Sequence, residues 1–328
     1  MSVNKKIQLG LCCLNTELRE QKPPIFASRS CIMRTFNEKG IRYVQNLCLQ
    51  NLDDILKMIE WNELNGIKVF RLSSDMFPHF SNPKVDRYTL DFADQKLKEI
   101  GKLAKKYNMR LTFHPGQYDV MGTPNEDVLK NTLLDLSCHA DILDRMECDQ
   151  DSVMVVHGGG VYGDKKETMK RWARNFKNAP DSIRRRLVLE NCEKCFNIED
   201  CLEVSKEANI PVVFDTHHHD CYIQLHPDIK LKNAEEYMSD ILETWKRRGI
   251  KPKFHVSEQG CGRVGHHSDY IETIPNYLLE IPDKYNTDID IMIEAKLKEK
   301  AIFKLYKKYP FLNCKKRFII YKKKQTKE

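Results

Sequence analysis

Short apolar runs alternate with longer amphipathic stretches along almost the whole chain. The runs cover residues 7–13, 67–72, 110–113, 152–156, 187–189, 211–214, 254–256 and 289–293. Short continuous runs of Val, Ile, Leu and Phe suit strands covered on both faces, as in a parallel sheet. Between them, helical spacing marks residues 51–65, 91–107, 125–145, 165–177, 198–208, 234–247 and 297–309. The first of these puts Leu52, Ile55, Leu56 and Ile59 on one face and stops at Asn65-Gly66, a fitting helix end. Residues 260–284 are less regular, so the helix expected there is placed only loosely. Repeated strand–helix units imply parallel strands with right-handed crossovers. Eight units at this length predict an α/β fold, a single (β/α)8 TIM barrel over residues 1–310. An open doubly wound sheet is the alternative, but Gly158-Gly159-Gly160 lacks the dinucleotide fingerprint and no P-loop occurs.

The barrel predicts chemistry at the carboxyl ends of many strands, and polar residues stand there. Run three ends in His114, run four in His157, run five in Glu190, run six in Asp215-Thr216-His217-His218-His219, run seven in His255 and run eight in Glu294. One such residue alone is more often a satisfied partner of the backbone or a helix cap. Six consecutive ends are different, because buried imidazoles and carboxylates are costly unless paired or metal-bound. The donor set exceeds the three protein ligands of a catalytic zinc, which predicts two or three clustered divalent ions. Such clusters clamp both oxygens of a phosphoester undergoing displacement, so hydrolysis of a phosphoester leads. Sugar isomerisation or epimerisation on the same divalent-metal barrel remains open, as does a catalytically inactive binder.

Composition narrows the setting. The net charge of +7 and pI near 8.7 favour an anionic partner. Arg34, Arg71, Arg263, Lys165-Lys166 and Arg184-Arg185-Arg186 are candidates for tracking a nucleic-acid backbone. Twelve cysteines in a chain that begins Met-Ser-Val-Asn-Lys-Lys, without an apolar signal segment, are expected to be reduced. Cys192 and Cys195 form a single CxxC, a weak zinc or redox signal. No apolar run approaches a membrane span. The expected setting is an intracellular, reducing compartment, cytosol or nucleus, rather than secretion. Residues 311–328, with Lys315-Lys316-Arg317 and Lys322-Lys323-Lys324, are expected to form a basic tail.

The order of motifs resembles the ultraviolet-damage endonucleases, barrel relatives of endonuclease IV, over about residues 7–300. The resemblance rests on Leu9-Gly10-Leu11-Cys12-Cys13-Leu14-Asn15, Arg34-Thr35, Trp61-Asn62-x-x-Asn65-Gly66-Ile67 and Arg71-Leu72-Ser73-Ser74-Asp75-x-Phe77-Pro78. It continues through His114-Pro115-Gly116-Gln117-Tyr118, Leu189-Glu190-Asn191, Asp215-Thr216-x-His218-His219, Lys253-x-His255 and Glu294-Ala295-Lys296-x-Lys298-Glu299. It implies incision of double-stranded DNA immediately 5′ of cyclobutane pyrimidine dimers or 6-4 photoproducts, leaving a 3′-hydroxyl, with abasic sites as a further candidate substrate. It also implies two or three divalent ions, manganese first, with zinc, magnesium or cobalt as alternatives, and a monomeric enzyme.

By position, His114, His157, Glu190, Asp215, His218, His255 and Glu294 match the family's metal positions, and His267 an active-site position. Lys253 matches a lysine that is carboxylated to act as a ligand. Glu190, His267, Lys253 and Glu294 are the catalytic candidates. Gln117 and Tyr118 match the pair that probes damaged bases, which unstack cheaply from the duplex, and Asn15, Arg34 and Arg71 are further lesion or DNA contacts. His217 and His219 become supporting or DNA-facing residues. Two departures stand out. Leu11 replaces the usual aromatic, and Asn82 falls where the family has a metal-binding histidine, leaving His79 as the other candidate for that position.

Overall fold

In the computed structural model, which describes residues 6–85 and 88–314, all eight apolar runs become strands. They are β1 (Ile7–Cys12), β2 (Val69–Arg71), β3 (Arg110–Thr112), β4 (Met154–His157), β5 (Leu187–Glu190), β6 (Val212–Asp215), β7 (Lys253–Val256) and β8 (Ile289–Ile293). Every pair is parallel, and the order is β3-β2-β1-β8-β7-β6-β5-β4. The two outer strands meet at a bridge between Phe113 and Met154. Phe113 donates to the Val153 carbonyl and accepts from the Val155 amide, each at 3.0 Å. The sheet thereby closes on itself, and the fold is a TIM barrel.

Twelve α-helices accompany the strands among the described residues. The first six are α1 (Thr16–Arg19), α2 (Met33–Leu64), α3 (Asp94–Lys106), α4 (Glu126–Arg145), α5 (Lys165–Lys177) and α6 (Asp181–Arg184). The others are α7 (Ile198–Ala208), α8 (Thr216–Leu225), α9 (Met238–Arg248), α10 (Asn276–Leu279), α11 (Ile281–Lys284) and α12 (Lys298–Lys308). Their starts follow local chemistry. Asn125 and Asp164 accept hydrogen bonds from first-turn amides, and Asn197 makes a reciprocal capping box with Asp200. No helix among the described residues is long and apolar enough to cross a membrane. All twelve cysteines are free thiols.

Several expected boundaries shift, for identifiable reasons. Strands β4, β5 and β6 run one residue past their apolar runs to take in His157, Glu190 and Asp215, because those residues pair in register: His157 with Glu190, and Asp215 with His255. The helix expected over 51–65 begins far earlier, at Met33, and is broken only at Gly40, whose φ of 74° and ψ of 178° are not helical. The histidine stretch after β6 forms the first turn of α8. The irregular 260–284 region holds a bridge between Gln259 and His267 and two single-turn helices, α10 and α11. After α12, the turn Pro310–Leu312 still buries Leu312, and the expected basic stretch beyond residue 314 lies outside the described residues.

The amino end of the barrel is closed by charge. Arg110 opens β3 and donates to Asp290 Oδ2 at 2.9 Å, while Lys251 Nζ lies 2.6 Å from Asp290 Oδ1. Asp290 is fully buried. Removing Asp290 leaves the buried Arg110 guanidinium, which otherwise bonds the Asp151 and Lys251 carbonyls, without an opposite charge, at a cost of about 3–5 kcal/mol. Asp290→Ala is therefore expected to lower unfolding free energy by about that amount in urea titrations. A loss below about 1 kcal/mol would show that water satisfies the two cations instead.

Candidate metal centre

The alternation of side chains along a strand aims every second residue into the barrel, so Lys253 and His255 share one face of β7. Glu190, the last residue of β5, is fully buried at the centre of the rim. Its Oε2 lies 2.9 Å from His114 Nε2 and 3.1 Å from His157 Nε2. Its Oε1 lies 2.7 Å from His255 Nδ1 and 3.8 Å from His218 Nδ1. One carboxylate thus spans four imidazoles delivered by the ends of β3 and β4, by β7 and by α8. His255 Nδ1 is also 3.3 Å from Glu294 Oε1, which accepts from Arg71 at 2.6 Å.

Three sets of donors each converge within 4.8 Å: His114, Glu190 and His255; His157, Glu190 and His218; and Asp215, His255 and Glu294. Glu190 belongs to two sets and His255 to two. One buried atom in these sets, Asp215 Oδ2, lacks a hydrogen-bond partner. An orphaned carboxylate oxygen among imidazoles and carboxylates fits divalent cations, because neutral imidazole and carboxylate are the ligands of zinc and manganese.

Electrostatics follow from burial and from these neighbours. Burial would raise the Glu190 pKa, but His255, His157 and the His114 hydrogen bond hold it well below the usual carboxylate range. Burial would likewise raise Glu294, which Arg71 and His255 hold low. Asp215 is pushed up to about 7 by burial against the pull of His218, with Glu190 and Glu294 adding repulsion. His255 drops to about 4 through burial despite Glu190. Lys253 is fully buried, donates to His255 Nε2 at 2.6 Å, and falls to about 8 through burial and the neighbouring Arg71.

The remaining expected residues fall in distinct places. Gln117 and Tyr118 are exposed in a tight turn closed by Asp119 donating to the Gly116 carbonyl at 3.0 Å. Arg71 sits at the centre, bound to Glu294. Arg34 is exposed on α2 and paired with Glu38. Asn15 is buried and caps α1 through the Leu18 amide at 2.9 Å. His267 is half-buried at the edge, its ring 6.1 Å from that of His217, and its pKa is lowered by burial. His79 belongs to none of the three donor sets and bonds the Cys31 carbonyl, while Asn82 Oδ1 accepts from the Lys84 amide and its Nδ2 lies 3.5 Å from His79 Nδ1. His219 does not face outward: it is buried, its ring against Phe214 and Tyr237.

One positioning residue escaped the sequence reading. The Asn191 side chain donates to the Asp215 carbonyl at 3.0 Å and accepts from the Asp215 amide at 2.9 Å. Its own carbonyl meets His218 Nδ1 at 2.9 Å. Its place next to Glu190 was the available signal. Glu299 is a second such residue. It is fully buried and accepts from the Thr16 and Glu17 amides, fixing the loop after β1.

Comparison with known proteins gives a consistent set of likenesses. A family model described as UV-endonuclease UvdE matches residues 7–319. A candidate UV-damage endonuclease of Acanthamoeba polyphaga mimivirus is 42% identical over 308 residues, covering 92% of this chain and 91% of that one. The UV-damage endonuclease of Schizosaccharomyces pombe is 40% identical over 320 residues, covering 93% of this chain but 51% of that one. This chain therefore spans about half the length of the S. pombe protein. The crystal structure of SacUVDE superposes with a TM-score of 0.78 at 28% identity, covering 93% of this chain and 100% of that chain. Endonuclease IV from Thermus thermophilus shares the fold, with a TM-score of 0.55 at 13% identity over 93% of this chain and 98% of that chain.

The centre has a testable proton balance. Burial alone would lower the His218 pKa, but Asp215 and Glu190 carry it up to about 10. The folded value lies above the ordinary 6.5, so the proton's contribution to metal-free stability is complete below 6.5 and is lost as pH climbs to about 10. A bound ion competes with that proton. Titrating manganese or zinc chloride into metal-free protein is expected to release protons near neutral pH and to bind more tightly as pH rises. Calorimetry in buffers of different ionisation enthalpy measures this, and a buffer-independent enthalpy would refute it.

Proposed function

The chain belongs to the UV-endonuclease UvdE family, and from that premise we propose that it is a DNA-repair endonuclease that nicks double-stranded DNA immediately 5′ of ultraviolet photoproducts by metal-dependent phosphodiester hydrolysis. Cyclobutane dimers and 6-4 photoproducts are the substrates in this reading, and abasic sites are a further one. The observation that carries it is the convergence of His114, His157, Glu190, Asp215, His218, His255 and Glu294 into three donor sets that share Glu190 and His255. Shared ligands at this spacing suit two or three divalent ions, manganese first among them. When bound, such ions would supply Lewis-acid polarisation of the scissile phosphodiester.

The chain's own residues have separate tasks. Glu190 stays ionised across neutral pH, because His255, His157 and His114 outweigh its desolvation, and it joins two of the donor sets. Arg71 holds Glu294 in place and adds a cation facing the site of phosphate binding. Lys253 fixes the His255 ring from below; carboxylation of its amine would turn it from a repelling cation into a ligand. His267, whose pKa lies below its ordinary 6.5 through burial, is neutral at pH 7 and can accept a proton at the edge of the site. Gln117 and Tyr118, exposed beside His114, can enter the gap that a poorly stacked lesion leaves in the duplex.

Ultraviolet-irradiated duplex incubated with protein and manganese is expected to be nicked beside the lesion, whereas unirradiated duplex stays intact. Glu190→Gln keeps the shape of the side chain but removes the charge shared by two donor sets. It is expected to abolish nicking while affinity for damaged duplex changes by less than about threefold, since the contact surface is unaltered. Absence of nicking by the parent protein, or loss of DNA binding in a folded Glu190→Gln variant, would overturn the reading.

A further inference from the structure

We propose that Tyr162, on the loop after β4, is a second nucleobase-stacking position beside the turn that carries Tyr118; this rests on the reading of the chain as a nuclease acting on DNA. The loop runs Gly158-Gly159-Gly160-Val161-Tyr162-Gly163 and starts one residue after His157, a member of the donor sets. Gly159 and Gly163 have φ of +86° and +85°, values that glycine adopts most readily. Val161 packs against the core. Tyr162 is the large side chain that this loop offers to solvent, 44% exposed.

The backbone at Tyr162 is itself unusual. Its φ is 48°, in the left-handed region that disfavours bulky residues and that asparagine or glycine occupies more cheaply. Neighbouring bonds hold it there. Thr168 Oγ1 donates to the Val161 carbonyl at 2.6 Å and lies 2.7 Å from the Asp164 carbonyl, and Asp164 caps α5 through the Glu167 amide at 3.0 Å. A non-glycine residue kept in such a conformation by its surroundings points to a ligand contact.

The surroundings specify the ligand. Arg171 places its guanidinium 5.8 Å from the Tyr162 ring centroid, and α5 carries Lys165, Lys166, Lys170, Arg171, Arg174 and Lys177 against one acid, Glu167. An exposed aromatic ring with a guanidinium beside it, at the start of a basic helix, is the arrangement that stacks a base and attracts the flanking phosphates. Arg171 Nε also donates to the Gly122 carbonyl at 2.7 Å, and Asn175 to the Met121 carbonyl at 2.8 Å. These bonds tie α5 to the segment that follows Tyr118, which is 66% exposed, and Gly159 of the Tyr162 loop packs so close to Val120 that a Cβ there would lie 3.1 Å from its side chain. Two aromatic rings are thereby held on adjoining loops of the rim that holds the donor sets.

The test uses the full-length, metal-loaded protein and photoproduct-bearing duplexes with 2-aminopurine placed at one position at a time around the lesion, read by stopped flow before turnover. An undamaged single strand with the same probe runs in parallel. The parent and Tyr162→Phe are expected to quench the probe at a register that Tyr118→Ala leaves intact. Tyr162→Asn suits the left-handed backbone, so its melting temperature is expected to stay unchanged or to rise, while quenching at that register disappears and affinity falls about tenfold. Unchanged quenching and affinity in Tyr162→Asn would overturn the proposal. So would an equal loss in Tyr162→Phe, or a loss that follows a lowered melting temperature. Quenching of the single strand by the parent, lost in Tyr162→Asn, without any nicking of irradiated duplex would support the stacking role while sinking the repair reading.

Discussion

The structure depends on keeping one carboxylate charged where water cannot reach it. Desolvating Glu190 alone would cost several kcal/mol, and the barrel meets that cost with imidazoles from four directions at 2.7–3.8 Å. Those imidazoles come from residues as far apart in sequence as His114 and His255, so the charge is stabilised only when the sheet is closed. The bridge between Phe113 and Met154 that joins β3 to β4 sets His114 beside His157, with ring centroids 5.1 Å apart. Closure and chemistry are therefore the same event at this rim.

Lys253 links the two ends of the barrel interior. It is paired in register with Asp290, the acid that holds Arg110 and Lys251 at the amino end, and it reaches His255 toward the carboxyl end. The amine lies in a field set by Arg71 and Arg110 on one side of the balance and Glu190 on the other. A buried lysine between cations is poorly accommodated as an ammonium, and its lowered pKa reflects that. Its hydrogen bond to His255 Nε2 leaves the opposite ring nitrogen, Nδ1, directed at Glu190. The candidate metal ligands are thus oriented by a residue that itself depends on the polar network beneath it.

Much of this was legible in the sequence because a barrel converts a one-dimensional pattern into position. An apolar run followed by His, Glu or Asp has few places to put that residue other than the rim, and six such runs located His114, His157, Glu190, Asp215, His255 and Glu294. What was not legible depends on tertiary packing. The first half of α2 carries polar residues and a glycine, and its helical state is set by what it packs against. The three histidines after β6 look like a loop until Asp215 is seen capping a helix through the His218 amide. Asn191 gives no periodic or spacing signal, since its role is to bond both backbone groups of a residue 24 positions away. Position alone also suggested His79 or Asn82 as a ligand. His79 bonds the Cys31 carbonyl and Asn82 the Lys84 amide, and neither bond is predictable from spacing along the chain.

The division of labour between strands and loops explains how this fold acquires a particular substrate. Donors at strand ends are held by ladder pairing and by the barrel core, so their spacing is nearly independent of what lies above them. The same frame can serve isomerases and nucleases alike. Selectivity must then reside in groups that the frame does not dictate. In the proposed function, the turn of Gln117 and Tyr118 and the glycine-flanked loop of Tyr162 are such groups: each is short and presents an exposed ring. Arg71 sits between the two classes, because it closes onto Glu294 yet stands at the rim where an anion approaches. In the proposed function, a duplex opened at a lesion would supply what this surface lacks, unpaired base faces for the rings and phosphates for the cations, whereas a free sugar would supply neither.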